Sequence, residues 1–546
     1  MSYDCFYASV FEHENPALKA LPLVVQQKGL AVTCNYEARR RGLSKMRPIG
    51  EARKICPDVV ILLGEDLTPF RDASKKLYNF LQEYTWSKRV ERLGFDEVFM
   101  DVTDMIDFNV ELINLNDPCN SYFHLSRTDP TTGFAYDAFH LPGHTYPPTT
   151  SELPISASAS PGSSRDSPLY IRLVLASHLA KHLRHKLGAE KGYTCSVGIS
   201  TSKLLAKLAG ETNKPDAQTT ILPPYEPSAN FRESNVTGFL DALEVGRIPG
   251  IGSKLAQKLR NHVLGQQASS TTGHADGETK EKVLVHHVRC FPSIGPEVLE
   301  DVLGGPGVPQ GIGGKVWRLL NGVDDTEVVL ARKVPKQISI EDSYRRLDTL
   351  EEVKKELDLL AQSLIRRMHA DLLENDDGDA GNDDTTPTSD GQPAEATTGV
   401  PISQTPKKRW IAHPRTLRLS TLPRHLPNAD NTSSRPSGRT SRSCPTPPFL
   451  LSLTHPTSHL AAKLVSEALL PLFRKLHPKK SGWDLSIVNV AVVNMMEVAG
   501  GDGSSSGGGG EGRDIGKMFR KQEDVLRPWK VEDRDVPPSP PKTGLD

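Results

Sequence analysis

Arg92-Leu93-Gly94-Phe95-Asp96-Glu97-Val98-Phe99-Met100-Asp101-Val102 reads as apolar strand residues interrupted by two adjacent carboxylates. In an unbroken strand Asp96 and Glu97 would point to opposite faces. For both to serve one site the backbone must turn or bulge between them and the preceding residues, and Gly94 supplies the freedom to do so. Carboxylates gathered at such a break suit a hard divalent cation, because Mg²⁺ prefers oxygen ligands and keeps water and phosphate oxygens as the others. The competing reading is an exposed hairpin tip carrying two solvated acids. The company the pair keeps must choose between them.

The chain has 546 residues, enough for several domains, and its 37% hydrophobic and 24% charged content is ordinary for a soluble protein with low-complexity inserts. A formal net charge of −1 argues neither for nor against nucleic acid. The distribution says more: residues 371–390 hold eight acids and no Lys or Arg, whereas 401–480 hold 14 Lys/Arg against 2 Asp/Glu. An acidic insert thus masks a basic C-terminal region. Seven cysteines without a CxxC pair fit neither a disulfide framework nor a zinc site, and point to a reducing compartment. No run reaches transmembrane length and the N-terminus has no signal pattern, so no membrane partner is expected. Lys407-Lys408-Arg409 is a short candidate for nuclear import.

Leading away from the carboxylates, Thr68-Pro69 reads as a cap and first helical position. Phe70, Ala73, Leu77, Phe80, Leu81 and Tyr84 then recur at helical spacing as a core stripe. Upstream, residues 21–33 read as a hairpin around Lys28-Gly29, followed by one basic helical segment from Tyr36 to Lys54 suited to phosphates. Downstream, residues 109–167 lack a period and read as an insertion loop. A helix with Ile171, Leu175, Leu179, Leu183 and Leu187 inward follows, then a strand at 193–199 and a helix capped by Ser200. Ile248-Pro249-Gly250-Ile251-Gly252-Ser253-Lys254 is a glycine turn opening a helix, the helix–hairpin–helix pattern whose N–H groups hold a DNA phosphate through Gly250, Gly252 and Lys254. Gly311-Ile312-Gly313-Gly314-Lys315 is a looser echo, and residues 266–281 between them read as disordered. From 335 onward, strands at 337–341, 416–420 and 485–495 alternate with helices at 350–373 and 459–473 in an α+β unit. Inserts fall at about 374–405 and 427–448, and residues 501–546 read as a flexible tail.

Six motifs stand in one order: Asp4-Cys5-Phe6-Tyr7-Ala8, Thr33-Cys34-Asn35-Tyr36-Glu37-Ala38-Arg39, Gly64-Glu65-Asp66-Leu67-Thr68, Glu91-Arg92-Leu93-Gly94-Phe95-Asp96-Glu97, Ser196-Val197-Gly198-Ile199-Ser200 and the turn at 248–254. Together they resemble the Y-family translesion DNA polymerases, nearest the iota branch of the fungal kind. The resemblance implies an α+β multidomain right-hand polymerase. Its palm would be 1–5 and 67–222, the fingers 6–66, the helical thumb 223–334 and the little finger 335–500. It implies template-directed, error-prone synthesis on primer–template DNA from dNTPs, by a nuclear monomer. Asp96 and Glu97, with the backbone carbonyl of Tyr3, would hold two Mg²⁺ ions, Mn²⁺ being the alternative. Phe6, Tyr7, Tyr36, Arg39 and Lys214 would meet the dNTP, with Tyr7 as the gate against a ribose 2′-hydroxyl. Gln27 and Leu30 would border the nascent base pair. No clear motif for a sliding clamp or a ubiquitinated clamp stands in the chain.

One departure is serious. The family pattern carries a third carboxylate ligand two residues before Asp4, where this chain has Ser2, and the strand expected ahead of it is missing. The expectation is a start site misassigned by one exon; robust Mg²⁺-dependent synthesis by the chain as written would instead mean that another carboxylate, Asp4, supplies the missing ligand. The alternative is a non-catalytic DNA-binding or scaffold member of the family.

Overall fold

The computed structural model describes residues 1–113, 117–148, 168–226, 234–265, 282–330, 332, 334–375, 408–424, 438–479 and 481–498. The acidic stretch 376–407, the disordered segment expected at 266–281 and the tail lie outside the described residues. The chain divides into two units, 1–331 and 332–546, close to the expected boundary at 335.

The first unit opens with a two-residue strand, β1 (Ser2–Tyr3), and helix α1 (Phe6–Glu14). Cys5, at φ 45°, makes the sharp break between them. A small sheet follows, of β2 (Leu23–Gln27), β3 (Leu30–Cys34), β4 (Arg47–Pro48) and β5 (Val60–Leu63) in the order β4-β3-β2-β5. The β2–β3 hairpin turns at Lys28-Gly29 as expected. The basic segment is two short helices rather than one, α2 (Tyr36–Arg40) and α3 (Ile49–Ile55), because Gly42 takes φ 89° between them.

Helix α4 (Thr68–Gln82) buries Phe70, Leu77, Phe80 and Leu81, so the stripe is core. Its first turn is bonded not by Thr68 but by Asp66, whose carboxylate accepts from Thr68 N at 2.9 Å. Strands β6 (Val90–Leu93) and β7 (Glu97–Met100) form a hairpin, and α5 (Thr103–Glu111) follows. The stretch expected to be an insertion loop holds regular elements among its described residues. It holds a hairpin, β8 (Ser121–His124) with β9 (Gly133–Tyr136), and an edge strand, β10 (His144–Tyr146). Next come α6 (Pro168–Lys186), β11 (Cys195–Ile199), α7 (Lys203–Thr212) and β12 (Gln218–Ile221). The cap of α7 is Ser202, which accepts from Leu205 N; Ser200 instead bonds the Tyr225 hydroxyl. The main sheet runs β10-β12-β11-β1-β7-β6, which puts the two residues of β1 at its centre.

A helical segment completes the unit: α8 (Asn235–Asp241), α9 (Ser253–Val263), α10 (Val285–Arg289), α11 (Pro296–Leu303) and α12 (Ile312–Leu320). Leu240, Ile248, Ile251, Leu259, Leu299 and Val316 share a core there with Leu204, Leu205 and Leu208 of α7.

The second unit is a four-stranded antiparallel sheet covered by helices. Its elements are β13 (Gln337–Ser343), α13 (Leu350–Leu372), β14 (Leu373–Asn375), β15 (Lys408–Trp410), β16 (Ala412–Pro423), β17 (Thr440–Pro445), α14 (Thr457–Leu464), α15 (Leu470–Leu476) and β18 (Leu485–Glu497). The sheet order is β13-β18-β16-β17. Val353, Leu357, Leu360, Leu364 and Met368 all point inward, and Thr349 with Glu352 caps α13 in a capping box. The Ser/Pro/Arg stretch expected as an insert from 427 to 448 contains β17, an edge strand of the sheet. Lys408 and Arg409 of the candidate import signal lie in β15, paired with β14, while Lys407 is outside the described residues.

Candidate active site

Strand β1 pairs on one side with β11, Ser2 opposite Ser196, and on the other with β7, Ser2 opposite Glu97. The three residues Gly94, Phe95 and Asp96 make the β6–β7 turn, with Leu93 opposite Glu97 and Gly94 at φ 79°. The break that the two acids require is therefore a hairpin turn, tied down at both ends. Tyr3 N donates to Asp96 O at 2.8 Å, and Ser74 on α4 donates to Phe95 O at 2.5 Å. Asp96 is exposed at the tip and Glu97, the first residue of β7, is half-buried. Partial desolvation, then the neighbouring Glu97 carboxylate, push the Asp96 carboxyl above its usual range; Lys214 and Lys207 oppose the rise.

Two lysines reach this corner. Lys207 Nζ lies 2.5 Å and 2.6 Å from the two oxygens of Glu97, and Lys214 Nζ donates to the Ser2 hydroxyl at 2.7 Å. The position of Lys207 follows from glycine. A Cβ at Gly198 on β11 would overlap the Ala206 carbonyl, so α7 packs directly on the strand backbone and presents Lys207 to the neighbouring carboxylate. Asp4 is buried and fully engaged: one oxygen accepts from Ser196 Oγ at 2.8 Å, the other from Asp216 N at 2.9 Å. Asp4 thus fastens the Lys214–Asp216 loop beside the end of β1, which weighs against its use as a cation ligand.

Of the other expected residues, Phe6 and Tyr7 follow β1 directly, and Tyr36 and Arg39 lie close to Asp4 and Cys5. Tyr7 stacks on Phe70, ring centroids 4.2 Å apart at 15°, and burial followed by Asp96 raises its phenol pKa. Phe6 is 3% exposed among Tyr3, Tyr7 and Tyr193, so any contact it makes with a phosphate runs through its backbone. Asn35 caps α2 by accepting from Ala38 N at 2.9 Å, and also accepts from Leu23 N at 3.0 Å, which locks that helix to β2. The Arg39 guanidinium lies 4.6 Å over the Tyr36 ring, and its Nε donates to Cys34 O at 3.2 Å. Tyr36 is pushed up to about 12, by burial first and then by Asp4, so the two lie within electrostatic reach. Gln27 and Leu30 face one another across the β2–β3 turn, and the Gln27 amide donates to Gly64 O at 2.5 Å. No hydrogen bond among the described residues joins them to the carboxylates.

Lys207 carries no signal in the sequence, and neither do the partners of Asp4. A lysine on an amphipathic helix reads as solvated, and only the glycine of Ser196-Val197-Gly198 hints that this helix lies close. Beyond them, Gly250 takes φ 95° and Gly252 caps α9, with Gly252 and Lys254 exposed. In the second turn, Gly311 N and Gly313 N donate to the two oxygens of Glu300 at 3.0 Å and 2.6 Å.

The chemistry of the corner fits a hard cation: two adjacent carboxylates in one turn, with an ammonium already drawn to Glu97. It falls short of a carboxylate trio. Ser2 offers a neutral hydroxyl, and among the described residues no three His, Cys, Asp or Glu side chains form a metal-holding group.

Residues 1–211 match the profile of the impB/mucB/samB family, and residues 335–505 match that family's C-terminal domain. The chain belongs to the Y-family. Its Y-family relatives include DNA polymerase iota of Homo sapiens, 28% identical over 492 residues, which is 90% of this chain and 51% of that protein. DNA polymerase iota of Mus musculus is 28% identical over 497 residues, 91% and 53% of the two chains. That of Drosophila melanogaster is 35% identical over 254 residues, 46% and 29%. The chain spans about half the length of the human and mouse proteins. The two profiles leave residues 212–334 between them, which is where both glycine turns lie. All seven cysteines are free thiols, and no helix among the described residues is long and apolar enough to cross a membrane.

Proposed function

We propose that the chain is a DNA-directed DNA polymerase that copies damaged template, transferring nucleotides from dNTPs to a primer 3′-hydroxyl. The observation that carries this reading is the gathering of the Asp96–Glu97 turn, Tyr7, Tyr36, Arg39 and Lys214 around the end of β1. The main sheet is the palm, residues 6–66 the fingers, 223–334 the thumb and 335–500 the little finger. Y-family polymerases generally use divalent metal ions. In this chain Asp96 and Glu97, with the Tyr3 carbonyl, are the groups that would hold Mg²⁺ or Mn²⁺. Such a cation, when bound, neutralises phosphate charge and acidifies the primer hydroxyl. The rest is done by the chain itself. Arg39 offers a planar fork, Tyr36 a hydroxyl and Lys214 an ammonium to the triphosphate. Tyr7, held flat against Phe70, leaves no room for a 2′-hydroxyl. The glycine turn at 248–254 and the basic second unit hold the primer–template backbone. The work is nuclear, in keeping with a DNA substrate.

A second reading, a DNA-binding member of the family without synthesis, is favoured by one observation: Ser2 stands where a third carboxylate would, and Lys214 occupies its hydroxyl. Primer extension with Mg²⁺ separates the two. The chain is expected to extend primers weakly, and Ser2→Asp to raise the rate at least about tenfold, since a charged oxygen beside a cation is worth more than a neutral one. Asp96→Asn in either background should abolish extension. No synthesis by Ser2→Asp on any primer–template, with DNA still bound, sinks the polymerase reading in favour of the second.

A further inference from the structure

The ammonium on Glu97 has a second acid within reach. Lys207 Nζ binds both oxygens of Glu97, and it also lies 3.8 Å from Glu211 Oε1, one helical turn along α7. Glu211 in turn is 3.2 Å from Arg247, the residue just before the glycine turn at 248–254. All three side chains of the Glu97–Lys207–Glu211 chain are partly shielded, at 24%, 21% and 30% exposure. Charges there interact more strongly than on an open surface.

We propose that Lys207 is a built-in counter-cation of the carboxylate pair, which holds Glu97 while the corner is empty and is handed to Glu211 when a divalent cation enters. The inference rests on the reading of Asp96 and Glu97 as a cation site. An ammonium bound to both oxygens of Glu97 competes with a cation for them, and left beside a divalent cation it would repel it. The exchange needs a nearby acceptor for Lys207 and an escape direction away from the carboxylate. Glu211 provides both, because it lies one turn further along the same helix. In this role Lys207 is a positioning residue. It keeps Glu97 oriented before loading, at the cost of a weaker hold on the cation.

The arrangement also ties loading to the DNA-holding turn. An ammonium arriving at Glu211 shares that carboxylate with Arg247 and loosens the tether from α7 to the start of the glycine turn.

The test is Mn²⁺ binding by the full chain without DNA or nucleotide, followed by the electron paramagnetic resonance of free Mn²⁺ and by the Mn²⁺-dependent rise in melting temperature. Lys207→Met, which keeps the length and apolar stem, should bind Mn²⁺ about tenfold more tightly than the natural chain, because a unit charge next to the ion is gone. Lys207→Arg keeps the charge and should bind as the natural chain does. Glu211→Gln removes the acceptor and should weaken binding a few-fold. It leaves the Glu97 pair intact, so it tests the exchange even if Lys207→Met fails to fold. All binding should vanish in Asp96→Asn. If Lys207→Met binds equally or more weakly while Asp96→Asn still abolishes binding, Lys207 is no counter-cation, and the cation site itself stands. An unchanged Glu211→Gln removes the transfer to Glu211. Binding that is absent throughout, or indifferent to Asp96→Asn, overturns the cation site and this inference with it.

Discussion

The two glycine turns of the helical segment share a pattern, Gly250-Ile251-Gly252-Ser253-Lys254 against Gly311-Ile312-Gly313-Gly314-Lys315, and differ in what faces their N–H groups. In the first, Gly250 takes φ 95°, the helix begins only after Gly252, and a Cβ at Gly252 would meet nothing within 4 Å. In the second, the helix begins already at Ile312, and a Cβ at Gly313 would run into the backbone of α11. Glu300 from that helix reaches back and takes the Gly311 and Gly313 N–H groups. Among the described residues no acid takes the N–H groups of the first turn, which leaves it open to an anion from outside; the other has an anion of its own. A glycine turn before a helix is thus a statement about backbone shape. Whether it binds phosphate depends on a residue elsewhere in the chain.

The strongest way to break this contrast is Glu300→Ala. It strips two N–H groups of a charged acceptor, and hydrogen bonds of that kind contribute about 1.5–3 kcal/mol. Since Glu300 is half-buried, urea unfolding should show a loss of about 1.5 kcal/mol. Duplex binding should tighten at the same time, because the N–H groups of the second turn have lost their internal acceptor. Lower stability without tighter binding would mean that the second turn does not face DNA.

Gly250→Ala attacks the other side of the comparison with a smaller effect. A residue with a Cβ at φ 95° is strained, and the new atom would sit 3.0 Å from Leu319 Cδ1. The expected loss is about 1 kcal/mol in stability. Duplex affinity should fall several-fold as the turn opens, measured by fluorescence anisotropy at fixed salt. Gly311→Ala carries the same φ penalty, at 81°, but nothing within 4 Å of the new atom, and should leave DNA affinity unchanged.

What could be read in advance follows the same line as this contrast. Local devices were legible: Gly94 beside Asp96 and Glu97 announced the turn, and the spacing of Phe70, Leu77 and Leu81 announced a buried helix face. Long-range partners were not. Nothing near Glu97 in sequence says that Lys207, 110 residues on, will bind both its oxygens. Nothing near Asp4 says that Ser196 and Asp216 will occupy it. Residues 121–146 were taken for loop because β8, β9 and β10 span only four, four and three residues, too few for a period to emerge. The cap of α7 fell on Ser202 instead of Ser200 because Ser200 finds the Tyr225 hydroxyl, a partner no local pattern reveals. Backbone geometry is written locally, and electrostatic satisfaction is written across the chain.

The finest test of the contrast uses the two lysines that close the pattern. Lys254 and Lys315 are both exposed and stand at matching places, two residues after the second glycine of each turn. If the first turn alone holds a phosphate, Lys254 neutralises one charge of the duplex and releases about 0.9 of a counterion, while Lys315 releases none. The slope of log affinity against log salt should then become shallower by about 0.9 in Lys254→Ala and stay put in Lys315→Ala. Neither substitution should change stability by more than about 0.5 kcal/mol, since both side chains are on the surface. The slope is a better witness than the affinity, because it counts neutralised phosphates and is blind to small shifts in packing. Equal changes in the two variants would put both turns on the DNA and leave Glu300 as a helix cap with no say in binding.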